Sequence, residues 1–222
     1  MRTSLNLLLA AAMALVLNGS LIAADKAAPS EDGFKPLYNG ENLEGWIGDT
    51  KGYYVKDGKI ICDPEKGGNI YTEKKYTNFI FRFEFLLPDG ANNGLGIRMP
   101  LKGKTAYDGM ELQILDNKAE KYKNLKEWQY HGSLYGLVAA KRGHLKPNGE
   151  WNQQEVRVIG DEVEVILNGT SIMKANLAEL REKPTLDGKE HPGLANKTGH
   201  IAFLGHGAAV EFRNLLIKEL PE

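Results

Sequence analysis

The chain has 222 residues, enough to bury a core without staples, and its formal net charge of -1 at pH 7 includes no basic block. That balance argues against a nucleic-acid binder, whose affinity rests on neutralising phosphates. A single cysteine, Cys62, excludes an intrachain disulfide, and 25 glycines among short aromatic and β-branched runs point to an all-β chain rich in turns.

Residues 1–24 read as a secretory signal. Arg2 supplies the positive start, Leu7 to Leu17 the apolar run, and Ala23 and Ala24 the small residues near a cleavage point. The run is shorter than the roughly 20 residues a spanning helix needs, so the sequence predicts export to the periplasm or beyond and no membrane span. Residues 25–32 form a polar leader, and residues 33–222 are expected to make one domain. Phe34, Leu37, Leu43 and Trp46 anchor a turn-rich opening. Tyr53 to Val55 and Lys59 to Cys62 flank Asp57-Gly58, a strong hairpin signal, and Gly68 to Thr72 is a further short strand. From Phe79 to Leu87 the alternation is sharp, with Phe79, Phe81, Phe83 and Phe85 on one face as predicted core.

The stretch from Asn93 to Asp116 organises the rest. Leu95, Ile97 and Met99 alternate with Gly96 and Arg98; Met110, Leu112 and Ile114 alternate with Glu111 and Gln113. If the two segments pair, one face is apolar and the other gathers Arg98, Glu111 and Gln113 on one surface. Residues i and i+2 of a strand project together, roughly 7 Å apart. Asp116, five positions after Glu111, can join it only through a bulge or from just past the strand end. Two carboxylates held in unlike environments suit acid/base work. A solvated face with Glu111 paired to Arg98 is the plainer alternative.

Asn117 to His131 is a long charged loop, of a length that is often functional, and Trp128, Tyr130 and His131 could rim a cleft. Ser133 to Leu137 reads as a strand carrying Tyr135. Trp151 to Ile159 and Glu162 to Asn168 make a hairpin across Gly160-Asp161, and Asn168-Gly169 the next turn. Asn176 to Lys183 has helical character ending before Pro184. An irregular loop follows, then strands at Gly199 to His206 and Val210 to Leu220. Ten to twelve short strands fit a two-sheet antiparallel sandwich. His206, between two glycines at a strand end, is a candidate general base or metal ligand. Tyr135 and His131 are candidate substrate contacts. A Glu/Asp/His set could hold a divalent metal ion, although no spacing is diagnostic of one. Walker, dinucleotide, HExxH, serine-elbow and CxxC motifs are absent.

Taken in order, several motifs add up to a family. They include Phe34-x-Pro-Leu-Tyr-Asn-Gly-x-Asn-Leu-x-Gly-Trp46, Asn92-Asn93-Gly94-Leu-Gly-Ile-Arg98 and Gly109-Met-Glu111-Leu-Gln113-Ile-Leu-Asp116. Gly132-Ser-Leu-Tyr135, Glu150-Trp-Asn152, Leu167-Asn-Gly169, Gly199-His-Ile201 and Val210-Glu-Phe-Arg-Asn214 follow. Over about residues 33 to 220 the chain resembles the 3-keto-disaccharide hydrolase family of exported bacterial proteins, with Asn93 where the family's serine would be. The resemblance implies a jelly-roll sandwich of the concanavalin A-like lectin/glucanase type and a carbohydrate substrate. The concave sheet of that sandwich would present Arg98, Glu111 and Gln113 to the sugar, with Glu111 or His206 as the base and Asp116 as the general acid. The implied chemistry is removal of the C2 proton beside a C3 ketone, elimination of the C1 substituent and later addition of water. Arg98 or a metal ion would stabilise the enolate oxygen. A sugar-binding module without catalysis and a conventional β-glucan hydrolase are the rivals, since a fold does not determine function.

Overall fold

A computed structural model describes residues 32–221. The expected signal at 1–24 and all of the leader but Asp32 lie outside the described residues. The strands run in chain order as β1 (Lys35–Pro36), β2 (Trp46–Gly48), β3 (Tyr53–Lys56), β4 (Lys59–Cys62), β5 (Gly68–Tyr76), β6 (Phe79–Leu86) and β7 (Asn92–Met99). After them come β8 (Met110–Leu115), β9 (Trp151–Ile159), β10 (Glu162–Leu167), β11 (Thr170–Asn176), β12 (Gly199–Gly205) and β13 (Glu211–Glu219). Two short helices, α1 (Thr105–Asp108) and α2 (Leu177–Arg181), sit in connections. Local turn chemistry decides several joins. Asp57 and Gly58 have φ of 51° and 71°, and Asn168 and Gly169 have 49° and 83°. Positive φ at both central residues matches the right-handed twist of the flanking strands, which is why Asp-Gly and Asn-Gly occupy these tight hairpins.

The strands form two antiparallel sheets packed face to face. The eight-stranded sheet has the order β11-β10-β9-β6-β13-β4-β3, with β1 also paired to β13; the five-stranded sheet has the order β2-β5-β12-β7-β8. This is the expected jelly-roll sandwich. Strand β6 earns its central place by alternation: Phe79, Phe81, Phe83 and Phe85 are fully buried, while Ile80, Arg82, Glu84 and Leu86 are not. Phe203 of β12 joins the sheets, stacked on Phe212 of β13 at 3.8 Å between ring centroids and on Trp46 at 5.4 Å. Burying each such side chain contributes about 1.5–3 kcal/mol. Outside the large sheet, Arg82, Glu155, Arg157 and Glu164 form an ion-pair ladder across β6, β9 and β10, each link of which is individually weak in solvent.

One irregularity positions the site. Between His200↔Met99 and Ala202↔Gly96 the pairing of β12 with β7 slips, so Ile97 and Arg98 together oppose Ile201. This is a β-bulge, and Arg98 takes φ of 49° in it. Ile97 stays in the main core, but Met99 emerges on the opposite face, in a second cluster with Tyr71, Ala202 and Leu204. The expected run of Leu95, Ile97 and Met99 on one face therefore breaks at its last member.

Candidate active site

Across the outer face of the five-stranded sheet, facing residues form rows. Gly94 pairs with Gln113 and Gly96 with Glu111; on the other side of β7, Leu204 and Ala202 of β12 oppose those same glycines. The rows thus run from apolar side chains through bare backbone to an amide and a carboxylate. The glycines keep this floor open, since a Cβ at Gly94 would lie 2.3 Å from Oε1 of Glu111.

The far edge of β8 is covered by residues 132–135. Gly132 donates its N–H to the Gln113 carbonyl at 2.8 Å, Gln113 to Ser133 at 3.0 Å and Tyr135 to Glu111 at 2.9 Å. The predicted strand at Ser133 is thus a brief extra pairing that brings Tyr135 beside Glu111. Helix α1 hangs over the floor from one side, and the arm from Asn117 to Tyr130 closes the other. Between them is a hollow of about 280 Å³ whose lining includes Asn92, Tyr107, Glu111, Gln113, Tyr135 and His206. That is small for a ligand site.

Oε1 of Glu111 lies 3.9 Å from Nε2 of His206, and the Glu111 side chain is 7% exposed against 46% for His206. The separation exceeds a hydrogen bond, which leaves the carboxylate free to act on a ligand while the imidazole stands at the mouth. Gln113 donates from Nε2 to Oδ1 of Asn92 at 2.8 Å, which keeps its own oxygen available. The Tyr135 hydroxyl accepts from Nε2 of Gln129 at 3.1 Å, and its ring meets Trp128 edge-on at 5.0 Å. Burial pushes the Tyr135 phenol up, the Gln129 hydrogen bond opposes this, and the nearby Glu111 charge adds to it; the group is a protonated donor at neutral pH.

Four of the seven residues expected at the site are therefore together: Glu111, Gln113, Tyr135 and His206. The other three are not, each for a non-local reason. Arg98, expected on the same surface, is turned away by the bulge and is 1% exposed. Its guanidinium donates to the carbonyls of Gly160 at 2.7 Å, Thr77 at 3.2 Å and Asn196 at 3.2 Å, tying three connections at one end of the sandwich. Asp116 does lie just past β8, but its carboxylate accepts from Gly90 N–H at 2.9 Å, Lys118 N–H at 3.0 Å and Asn148 Nδ2 at 2.8 Å. Burial alone would raise its pKa; these donors outweigh it and hold the carboxyl below its ordinary value, so it is a loop clasp outside the hollow. His131 is buried in the core against Phe85, ring centroids 5.1 Å apart, and desolvation lowers its pKa to about 4. It fills space as a neutral ring. Asn93 likewise points away from the hollow, accepting from Gly94 N–H through its own Oδ1.

Tyr107 and Gln129 join the site although no sequence pattern singled them out, and so does Asn92, which opens one of the family motifs without having been assigned a role. Asn92 was within reach, because it shares the period of two with Gly94 and Gly96. Tyr107 was not, because only the path of the β7–β8 connection carries it back over the sheet. A divalent ion fits poorly: the hollow offers Glu111 and His206, and among the described residues no three His, Cys, Asp or Glu side chains converge.

An antiparallel two-sheet sandwich with a hollow on its smaller sheet defines the chain as a jelly-roll protein of the class expected from its sequence. Within that class, the family model of the 3-keto-alpha-glucoside-1,2-lyase-like domain matches residues 33–218, and the chain belongs to this family. Two crystal structures of proteins from Parabacteroides distasonis ATCC 8503, assigned as glycosyl hydrolases, are each 28% identical to it. One superposes with a TM-score of 0.75 over 84% of this chain and 99% of its own; the other with 0.74 over 86% and 95%. A Bacillus subtilis protein with a galectin-like fold, 13% identical and with a TM-score of 0.53 over 84% of this chain and 94% of its own, shares the fold alone. No curated protein matches. Family membership makes the chain a 3-keto-alpha-glucoside-1,2-lyase-like domain.

Proposed function

We propose that this protein cleaves the glycosidic bond of 3-keto-glucosides by elimination, with Glu111 as the base. One observation carries the reading: Glu111 is the sole carboxylate among the described residues lining the hollow. Ordinary retaining and inverting glycosidases need two carboxyl groups across the scissile bond, about 5–5.5 Å or 6.5–9.5 Å apart. A ketone at C3 removes that need, because it acidifies the neighbouring C2–H bond enough for one carboxylate. Glu111 takes the C2 proton, the C–H electron pair becomes the C2–C3 π bond, and the carbonyl pair moves onto the C3 oxygen. When the C3 carbonyl re-forms, the C2–C3 pair shifts to C1–C2 and the bond from C1 to the leaving oxygen breaks. His206, 3.9 Å from Glu111 at the mouth, protonates that oxygen in the role first expected of Asp116. Water then adds at C1 of the enone, so the net change is hydrolysis. The apolar run from Leu7 to Leu17 supports placing this activity outside the cytoplasm.

The test is turnover of a 3-keto-glucoside in heavy water beside the same glucoside unoxidised. The expected result is cleavage of the ketone alone, with deuterium entering C2, and a Glu111→Gln variant slowed at least about 10³-fold, within the range for loss of a proton-transferring group. Cleavage without C2 exchange would indicate direct displacement. Sugar binding without turnover, unchanged in Glu111→Gln, would make the domain a lectin.

A further inference from the structure

With Arg98 withdrawn, the enolate oxygen of the proposed reaction lacks its expected partner. Hydrogen-bond arithmetic in the hollow supplies another. A lysine ammonium has donors and no acceptor, and Nζ of Lys189 lies 2.9 Å from the Tyr107 hydroxyl. The phenol oxygen must therefore accept, and its own hydrogen is left to point elsewhere. Tyr135 is in the same position, since Nε2 of Gln129 donates to it. That amide's orientation is set independently, because its Oε1 accepts from the Lys126 N–H at 3.0 Å. Among the described residues no acceptor takes either tyrosine hydrogen, and both rings line the hollow that holds Glu111. Each hydroxyl is thus polarised by a donor behind it and left unspent in front.

The placement of Lys189 is built into the fold. The N–H groups of Leu186 and Asp187 both reach back to the carbonyl of Gly136, the residue after Tyr135, at 2.9 and 3.2 Å. Four residues on, His191 is held by Asp187 at 3.1 Å, both side chains almost fully buried, and its ring packs 4.9 Å from that of Tyr107. Lys189 rides between these two anchors, so an exposed lysine is delivered to one particular hydroxyl. Gly136 has to be glycine: its φ is 75°, and a Cβ there would meet Asp187 Oδ2 at 2.6 Å and His191 Cε1 at 2.8 Å.

We propose that Tyr107 and Tyr135 form the oxyanion hole of this enzyme, donating two hydrogen bonds to the C3 oxygen as it gains charge, with Lys189 as the positioning and polarising residue behind Tyr107. The assignment rests on the elimination reading above and names its missing electrophile. The ligand class it selects is a planar oxyanion conjugated to a double bond.

Two measurements on the full-length protein test it. Tyr107→Phe keeps the ring against His191 and removes only the donor, so kcat on a 3-keto-glucoside should fall about 10²- to 10³-fold with KM within threefold. Lys189→Met should lower kcat about tenfold by the same route. Separately, binding of p-nitrophenolate, an oxyanion that needs no catalysis, should weaken at least tenfold in Tyr107→Phe and in Tyr135→Phe. An active enzyme whose Tyr107→Phe variant stays within threefold of wild-type kcat overturns the proposal. So does a wild-type protein with no Tyr107-dependent affinity for the phenolate. If that affinity is present but no 3-keto-glucoside is turned over, the oxyanion hole stands and the elimination reading fails.

Discussion

Replacing Gly94 with alanine puts the geometry of the hollow to its sharpest test. The added methyl would sit 2.3 Å from Oε1 of Glu111, 2.9 Å from Cδ and 3.0 Å from Cγ. The carboxylate must retreat by about 1 Å to restore ordinary contact. It has room to do so, because the hollow in front of it is open. The backbone at Gly94 is not in the left-handed region, so the substitution strains only this one side chain. Folding stability should barely change, and the thermal midpoint should stay within about 4 °C, equivalent to roughly 1 kcal/mol for a domain of this size. Catalysis should not survive as well. A 1 Å misplacement of a reacting group costs about 10²-fold, and kcat for the 3-keto-glucoside should fall by that factor while a Gly96→Ala control reports packing, its Cβ meeting Met99 and Ala202 instead. Steady-state kinetics and a thermal melt on the two purified variants decide the matter. A Gly94→Ala protein with wild-type kcat and an unchanged melt would show that the position of the Glu111 carboxylate does not govern the reaction.

Arg98→Met should behave in the opposite way: three carbonyls lose the buried guanidinium that donates to them, stability falls by about 2–4 kcal/mol, and folded enzyme keeps its KM. A melt lowered by less than about 2 °C, or a selective loss of substrate affinity, would return Arg98 to the site. His131 predicts an acid-sensitive core. Its folded pKa of about 4 lies below the ordinary 6.5, so the unfolded chain takes up a proton that the native state refuses. Its contribution is intact above pH 6.5 and is lost as pH falls towards 4, to a limit of roughly 3 kcal/mol. Urea midpoints at pH 7 and pH 4.5 should separate more in wild type than in His131→Phe, and equal separations would contradict the burial argument.

Much of this protein was legible because its signals are local. The four phenylalanines of β6, the apolar face of β8 and the Asp57-Gly58 and Asn168-Gly169 turns each follow from neighbouring residues and a period of two. The same period placed Glu111 and Gln113 side by side on an open face, and that pair anchors the site. Where a side chain's surroundings come from distant chain, the pattern was silent. Arg98 obeys the alternation on paper and escapes it because β12 pairs with β7 out of step. Asp116 faces Gly90 and Asn148, delivered by loops that begin far from it in sequence, and His131 meets Phe85 of the distant strand β6. Tyr107 and Lys189 meet across 82 residues, brought together by a connection that doubles back over the sheet and a loop clasped to Gly136. Periodicity says which way a residue points from its own strand; what waits there is decided only when the two sheets and their loops have closed.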